Sequence, residues 1–98
     1  MNRTYQELTQ NDKRWVKLNI TRDTGEAYAP SAAYFEVKGT DKQNIIVPRT
    51  PANVNGNQIS AKITETVTVS AAEYDLVWEI EKGGNTNFHC TRLLVDIC

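Results

Sequence analysis

Residues 71–98 read AAEYDLVWEIEKGGNTNFHCTRLLVDIC, and the two glycines in the middle decide how the rest is read. Ahead of Lys82-Gly83-Gly84-Asn85, the side chains Tyr74, Leu76, Trp78 and Ile80 recur at every second position, with Asp75, Glu79 and Glu81 on the other parity. A period of two belongs to a strand with one buried face. Gly83-Gly84 lacks the following helix and the Lys-Ser/Thr pair of a phosphate cradle, so it reads as a hairpin turn. The chain then returns along itself from Asn87 to Ile97. Leu93, Val95 and Ile97 share one parity there while Phe88 and Cys90 hold the other, and a bulge near Thr91-Arg92 is expected to reconcile the two halves.

The same alternation continues upstream. In RWVKLNIT, Val16, Leu18 and Ile20 face one way and Lys17, Asn19 and Thr21 the other. Asp23-Thr24-Gly25-Glu26 is a turn, Pro30 interrupts pairing, and Ala33, Phe35 and Val37 then alternate with Tyr34, Glu36 and Lys38. NIIVP is expected to be a short strand ended by Pro48, which has no N–H for a ladder. Asn55-Gly56 marks a tight hairpin before Ile59, Ala61 and Ile63, and Val67 and Val69 extend that strand or form a short edge piece. No helical period is evident beyond one turn near Tyr5 to Leu8. Short strands with turn signals at regular intervals predict an all-β fold, an immunoglobulin-like antiparallel β-sandwich of about seven strands. It lacks the Cys, Trp and Cys spacing of antibody-type domains. Residues 1–98 make one domain, with residues 1–10 expected as an N-terminal arm.

Composition narrows the functional classes. Eleven basic against twelve acidic residues leave a net charge of −1, so no global field draws in nucleic acid or anionic lipid. The opening MNRTYQELTQNDKRW has no apolar stretch of signal-peptide kind, and no apolar run reaches membrane-spanning length, so synthesis in a cytoplasm is expected. Cys90 and Cys98, eight positions apart, would lie about 26 Å apart along an extended segment, beyond disulfide reach.

Candidate chemistry is sparse. The single histidine, His89, is next to Cys90, and neighbours in a strand point to opposite faces, which disfavours a nucleophile and base pair. Three Cys and His side chains in all fall short of a structural zinc set, and the turn residues Asp23, Glu26, Asp41 and Asn44 lack calcium-loop spacing. Glu79 and Glu81 share a strand face about 7 Å apart, a spacing compatible with glycoside hydrolysis but usual for solvating charges. No catalytic residue, metal or cofactor is expected. What remains is surface. Tyr5, Trp15, Tyr28 and Tyr34 fall on outward parities or in loops, and aromatic residues are enriched where proteins meet. Trp15, interleaved with Lys13, Arg14 and Lys17, offers a platform on which a base or a sugar could stack.

The opening Asp12-Lys13, the turn Asp23 to Gly25, the strand Phe35 to Val37, the pair Ile63-Thr64 and the strand Tyr74 to Ile80 follow one another in a characteristic order. Over residues 8–97 this order resembles the immunoglobulin-like modules of tailed-bacteriophage virion proteins, best described in the N-terminal domain of baseplate upper proteins and in head and tail decoration proteins. Ala72-Glu73 stands where a Pro-Gly corner is often found, and the long C-terminal extension of receptor-binding members is missing. The resemblance implies a freestanding, non-enzymatic virion module that docks on capsid or on tail and baseplate proteins, made in the bacterial host cytoplasm and located on the particle. It further implies a homo-oligomer, trimer or dimer, with no nucleic acid and no membrane among its partners. The alternative is a carbohydrate-binding sandwich that uses Trp15 and surface tyrosines.

Overall fold

In the computed structural model, residues 3–11, 13–20, 29–40, 44–68 and 72–96 are described, with backbone alone at 3, 4, 65 and 66. Eight strands and one helical turn follow in the order β1 (Arg3–Thr9), β2 (Arg14–Asn19), β3 (Ala32–Gly39), β4 (Ile45–Pro51), β5 (Asn53–Asn55), β6 (Gln58–Ile63), α1 (Glu65–Thr68), β7 (Glu73–Lys82) and β8 (Asn85–Asp96). They form a five-stranded sheet, β1-β8-β7-β3-β4, and a three-stranded sheet, β2-β6-β5. The two sheets make an all-β sandwich with the core between them. No helix among the described residues is long and apolar enough to cross a membrane.

Alternation builds the core. Val16 on β2, Phe35 and Val37 on β3, Ile59, Ala61 and Ile63 on β6, Leu76, Trp78 and Ile80 on β7, and Leu93 and Val95 on β8 are all buried. Burying one such large side chain stabilises the fold by about 1.5–3 kcal/mol. Trp78 fills the centre, its ring centroid 6.5 Å from that of Phe35 with the planes tilted by 58°. The indole Nε1–H of Trp78 donates to Thr91 Oγ1 at 2.9 Å, so its one polar atom is satisfied inside the core.

Several sequence expectations are corrected. Residues 3–9, read as arm and as a possible helical turn, are β1, which runs parallel to β8 from Arg3↔Cys90 to Thr9↔Asp96, so the sandwich is not wholly antiparallel. Leu8 fits the pairing, since this register sets it opposite Val95 and in the core, and a one-residue slip would turn it outward. Asn11, at φ 66°, then turns the chain toward the other sheet, a conformation that asparagine tolerates better than most residues. The expected bulge in β8 is absent, because β7 and β8 pair without a break from Glu73↔Leu94 to Lys82↔Asn85. Thr91 instead takes the inward place between His89 and Leu93, and Trp78 gives its hydroxyl a partner there.

Pro48 does not end its strand. β4 is an edge strand with two register shifts against β3, and it absorbs Pro48 where no outer neighbour needs an N–H. Val67 lies in α1 and not in a strand: the amides of Val67 and Thr68 both donate to Thr64 O, and the turn buries both side chains on its way between sheets. Two of the hairpins have two-residue loops, Gly56-Asn57 and Gly83-Gly84. In the first only Gly56 has positive φ (62°), a type II′ turn one residue later than the Asn-Gly reading implied. In the second both glycines do (56° and 83°), as type I′ demands. The turn expected at Asp23 to Glu26, and Val69, Ile97 and Cys98, lie outside the described residues.

Candidate functional site

Strand parity sorts the remaining side chains onto two outer faces. On the five-stranded sheet the register sets Phe88, Glu79 and Tyr34 side by side, next to them Cys90, Val77 and Glu36, and beyond these Tyr5, Arg92, Asp75 and Lys38. Tyr5 is 66% exposed and Phe88 61% exposed. Arg49, from β4, lays its guanidinium 3.6 Å from the centre of the Tyr34 ring. It also grips Glu79 with two bonds, Nη2 to Oε2 at 2.7 Å and Nε to Oε1 at 3.2 Å, and approaches Glu81 at 3.8 Å. The hydrogen bond from Arg49 holds the Glu79 carboxyl below its ordinary pKa, and the same bond raises that of Arg49. Tyr34, Arg49, Val77, Glu79 and Phe88 enclose a shallow depression of about 60 Å³.

The buried polar spot on this face was misassigned from sequence. Asp75, on the parity expected to be solvated, is 1% exposed. Its Oδ1 accepts from Arg92 Nε at 2.7 Å and from Cys90 Sγ at 3.6 Å, while Oδ2 has no hydrogen-bond partner among the described residues. Arg92, with Glu73 at 3.8 Å as a second partner, has its pKa raised first by the hydrogen bond to Asp75. Cys90 is a buried thiol in this spot, and His89 lies on the opposite face in register with Trp78. The two side chains form no catalytic pair. Partial burial pushes the His89 pKa below its ordinary value.

The outer face of the three-stranded sheet is different. Trp15, 50% exposed, is paired in register with Lys62, and Lys17 is paired with Ser60. Asn19 and Gln58 follow, joined by a bond from Gln58 Nε2 to Asn19 Oδ1 at 3.1 Å. Beside Trp15 an open cleft of about 640 Å³ runs between the free half of β6 and the β4 edge, with Lys62, Ser60 and Asn53 on one wall and Ile46, Pro48 and Thr50 on the other.

Of the four aromatic residues singled out from sequence, Tyr5 and Tyr34 share one outer face, Trp15 lies on the other, and Tyr28 lies outside the described residues. They do not form one patch. Sequence reasoning missed Phe88, and the supposed bulge hid it: with an unbroken register Phe88 has the parity opposite to Leu93 and must face out. Arg49 was missed because a strand stopped at Pro48 leaves it in a loop. Compared with models of protein families and with curated proteins, the chain matches none.

Proposed function

We propose that this chain is a non-enzymatic structural module of a bacteriophage particle, a sandwich that docks on other virion proteins of the capsid or of the tail and baseplate. The observation that carries the reading is the edge strand β1. An unpaired strand edge templates pairing with another chain, and proteins ordinarily blunt such edges with prolines, bulges, lysines or shortness. Here β4 carries Pro48, Pro51 and two register shifts, β5 is three residues long, and β2 presents Arg14 and Lys17. β1 has no proline or bulge and is not short, and its charged residues are Arg3 and Glu7. It keeps one register over seven residues, without proline or lysine, and places the exposed Tyr5 on the face that also bears Phe88 and Tyr34. A partner strand laid along β1 would gain main-chain hydrogen bonds for affinity and side-chain pockets for specificity. The motif order from Asp12 to Ile80 supplies the class of partner, and repeated virion sites favour a closed homo-oligomer, a trimer or dimer.

The test is co-sedimentation with purified virions, empty shells and isolated tails, alongside sedimentation velocity of the free protein. Binding that weakens about tenfold or more in Tyr5→Asp supports the reading. A monomer that stays in the supernatant with every particle preparation overturns it.

A further inference from the structure

We propose that the outer face of the three-stranded sheet is a binding site for an acidic saccharide, with a sugar ring stacked on Trp15 and its carboxylate held by Lys17 and Lys62. This goes beyond docking through β1 and uses the opposite side of the sandwich. Trp15 stands on β2, an edge strand of this sheet, paired in register with β6, so its backbone is held by the sheet and half of the residue faces solvent. An aromatic face left open on a rigid strand is a stacking platform that costs little entropy to use.

The neighbours specify what stacks there. Trp15 opposes Lys62, Lys17 opposes Ser60, and diagonal neighbours on one sheet face are about 7–8 Å apart, so two ammonium groups flank the indole with a hydroxyl at the fourth corner. Neither lysine has an ion-pair partner among the described residues, and no described side chain of this face is a carboxylate. Asn53 and Ser60 add amide and hydroxyl groups of the kind that hydrogen-bond sugar hydroxyls, along the wall of the 640 Å³ cleft that begins at Trp15. That volume lies within the usual range of ligand sites and leaves room for a short oligosaccharide.

Two other occupants fit less well. A peptide strand would need the β4 edge, and Pro48, Pro51 and two register shifts deny it a continuous ladder, while β6 is free of β5 only from Ala61 to Ile63. A nucleic acid would need a longer run of cations than Lys13, Arg14, Lys17 and Lys62, and the chain's net charge is −1. An acidic sugar uses every feature present.

Fluorescence titration reads the site directly, because Trp15 is half exposed and Trp78 fully buried, so a change in the long-wavelength emission belongs to Trp15. The probes are trigalacturonate and 3′-sialyllactose, their neutral counterparts galactotriose and lactose, an oligothymidylate and a proline-rich peptide. Expected are saturable binding of at least one acidic sugar, binding about tenfold or more weaker for its neutral counterpart, and loss of about tenfold or more in Lys17→Gln/Lys62→Gln. Trp15→Ala, followed by NMR amide shifts with the Trp78 indole resonance as the check of folding, should lose binding, while Tyr5→Asp should not. The failure of docking and the failure of this site are thereby separable. Silence with both acidic sugars, equal binding by Trp15→Ala or by the neutral sugars, or tighter binding of the oligothymidylate or the peptide would each overturn the proposal.

Discussion

On the outer face of the five-stranded sheet three carboxylates are tied to cations, Glu79 to Arg49, Asp75 to Arg92 and Glu36 to Lys38, while Glu7 has no ion-pair partner among the described residues. On the outer face of the three-stranded sheet Lys17 and Lys62 flank Trp15 with no carboxylate among the described side chains. A net charge of −1 conceals this separation entirely. Strand parity is what separates the charges: each strand sends alternate residues to one side, so a chain of balanced composition can make one largely neutralised face and one open, basic face. The first face holds its side chains in place and exposes aromatic rings. The second holds Lys17 and Lys62 without an ion-pair partner among the described residues.

The largest effect tests whether both faces hang on one core. Trp78→Ala should cost about 3–5 kcal/mol, most of the stability of so small a domain, and the urea transitions of both faces should shift together. Separate transitions for β2 and for β8 resonances in NMR would show that the faces stand on separable units. Next, Arg92→Ala should cost about 3 kcal/mol, because it leaves the Asp75 carboxylate buried and unpaired, whereas Asp75→Leu/Arg92→Met should lose far less. A double variant no more stable than Arg92→Ala would mean that packing, not the buried charge, sets the loss.

A smaller effect is expected at the exposed pair on the same face. Arg49→Ala should cost little stability, while the Glu79 carboxyl, followed by carbon-detected NMR, titrates at higher pH once its partner is gone. The sign follows from the direction of the shift. With a folded pKa below the ordinary 4.5, Glu79 adds stability that is present above pH 4.5 and fades as the pH falls through the folded value, so the cost of Arg49→Ala should shrink in acid. His89 behaves likewise at higher pH. Its folded pKa lies below the ordinary 6.5, so its contribution is complete above pH 6.5 and fades as the pH falls through the folded value, and His89→Phe should flatten that slope in denaturation curves. Smallest of all, Lys17→Gln/Lys62→Gln should change stability by no more than about 0.5 kcal/mol, since neither side chain holds the fold together. A larger loss would mean that this face is structural after all.

Much of the sandwich was legible in the chain because a buried face imposes a period of two on each strand, and that period survives in the bare order of residues at Val16 to Ile20, Ala33 to Val37, Ile59 to Ile63 and Tyr74 to Ile80. The hairpin at Gly83-Gly84 was legible for the same local reason, since two consecutive positive φ angles call for glycine. The candidate surfaces were legible only as a list. Tyr5, Trp15 and Tyr34 are outward as their parity requires, but parity within one strand is silent on which sheet that strand joins.

Sequence alone therefore determined the all-β class, the alternating core residues of β2, β3, β6 and β7 and the outward sense of Tyr5, Trp15 and Tyr34, since each depends on near neighbours along the chain. Tertiary structure alone decided that β1 lies parallel to β8, that Asp75 is sealed beneath Arg92, that Arg49 crosses to Tyr34 and Glu79, and that Trp15 faces away from both tyrosines. Those are contacts between residues far apart in the chain. They follow from which strands pair and in what register, and that choice is made by the whole core at once.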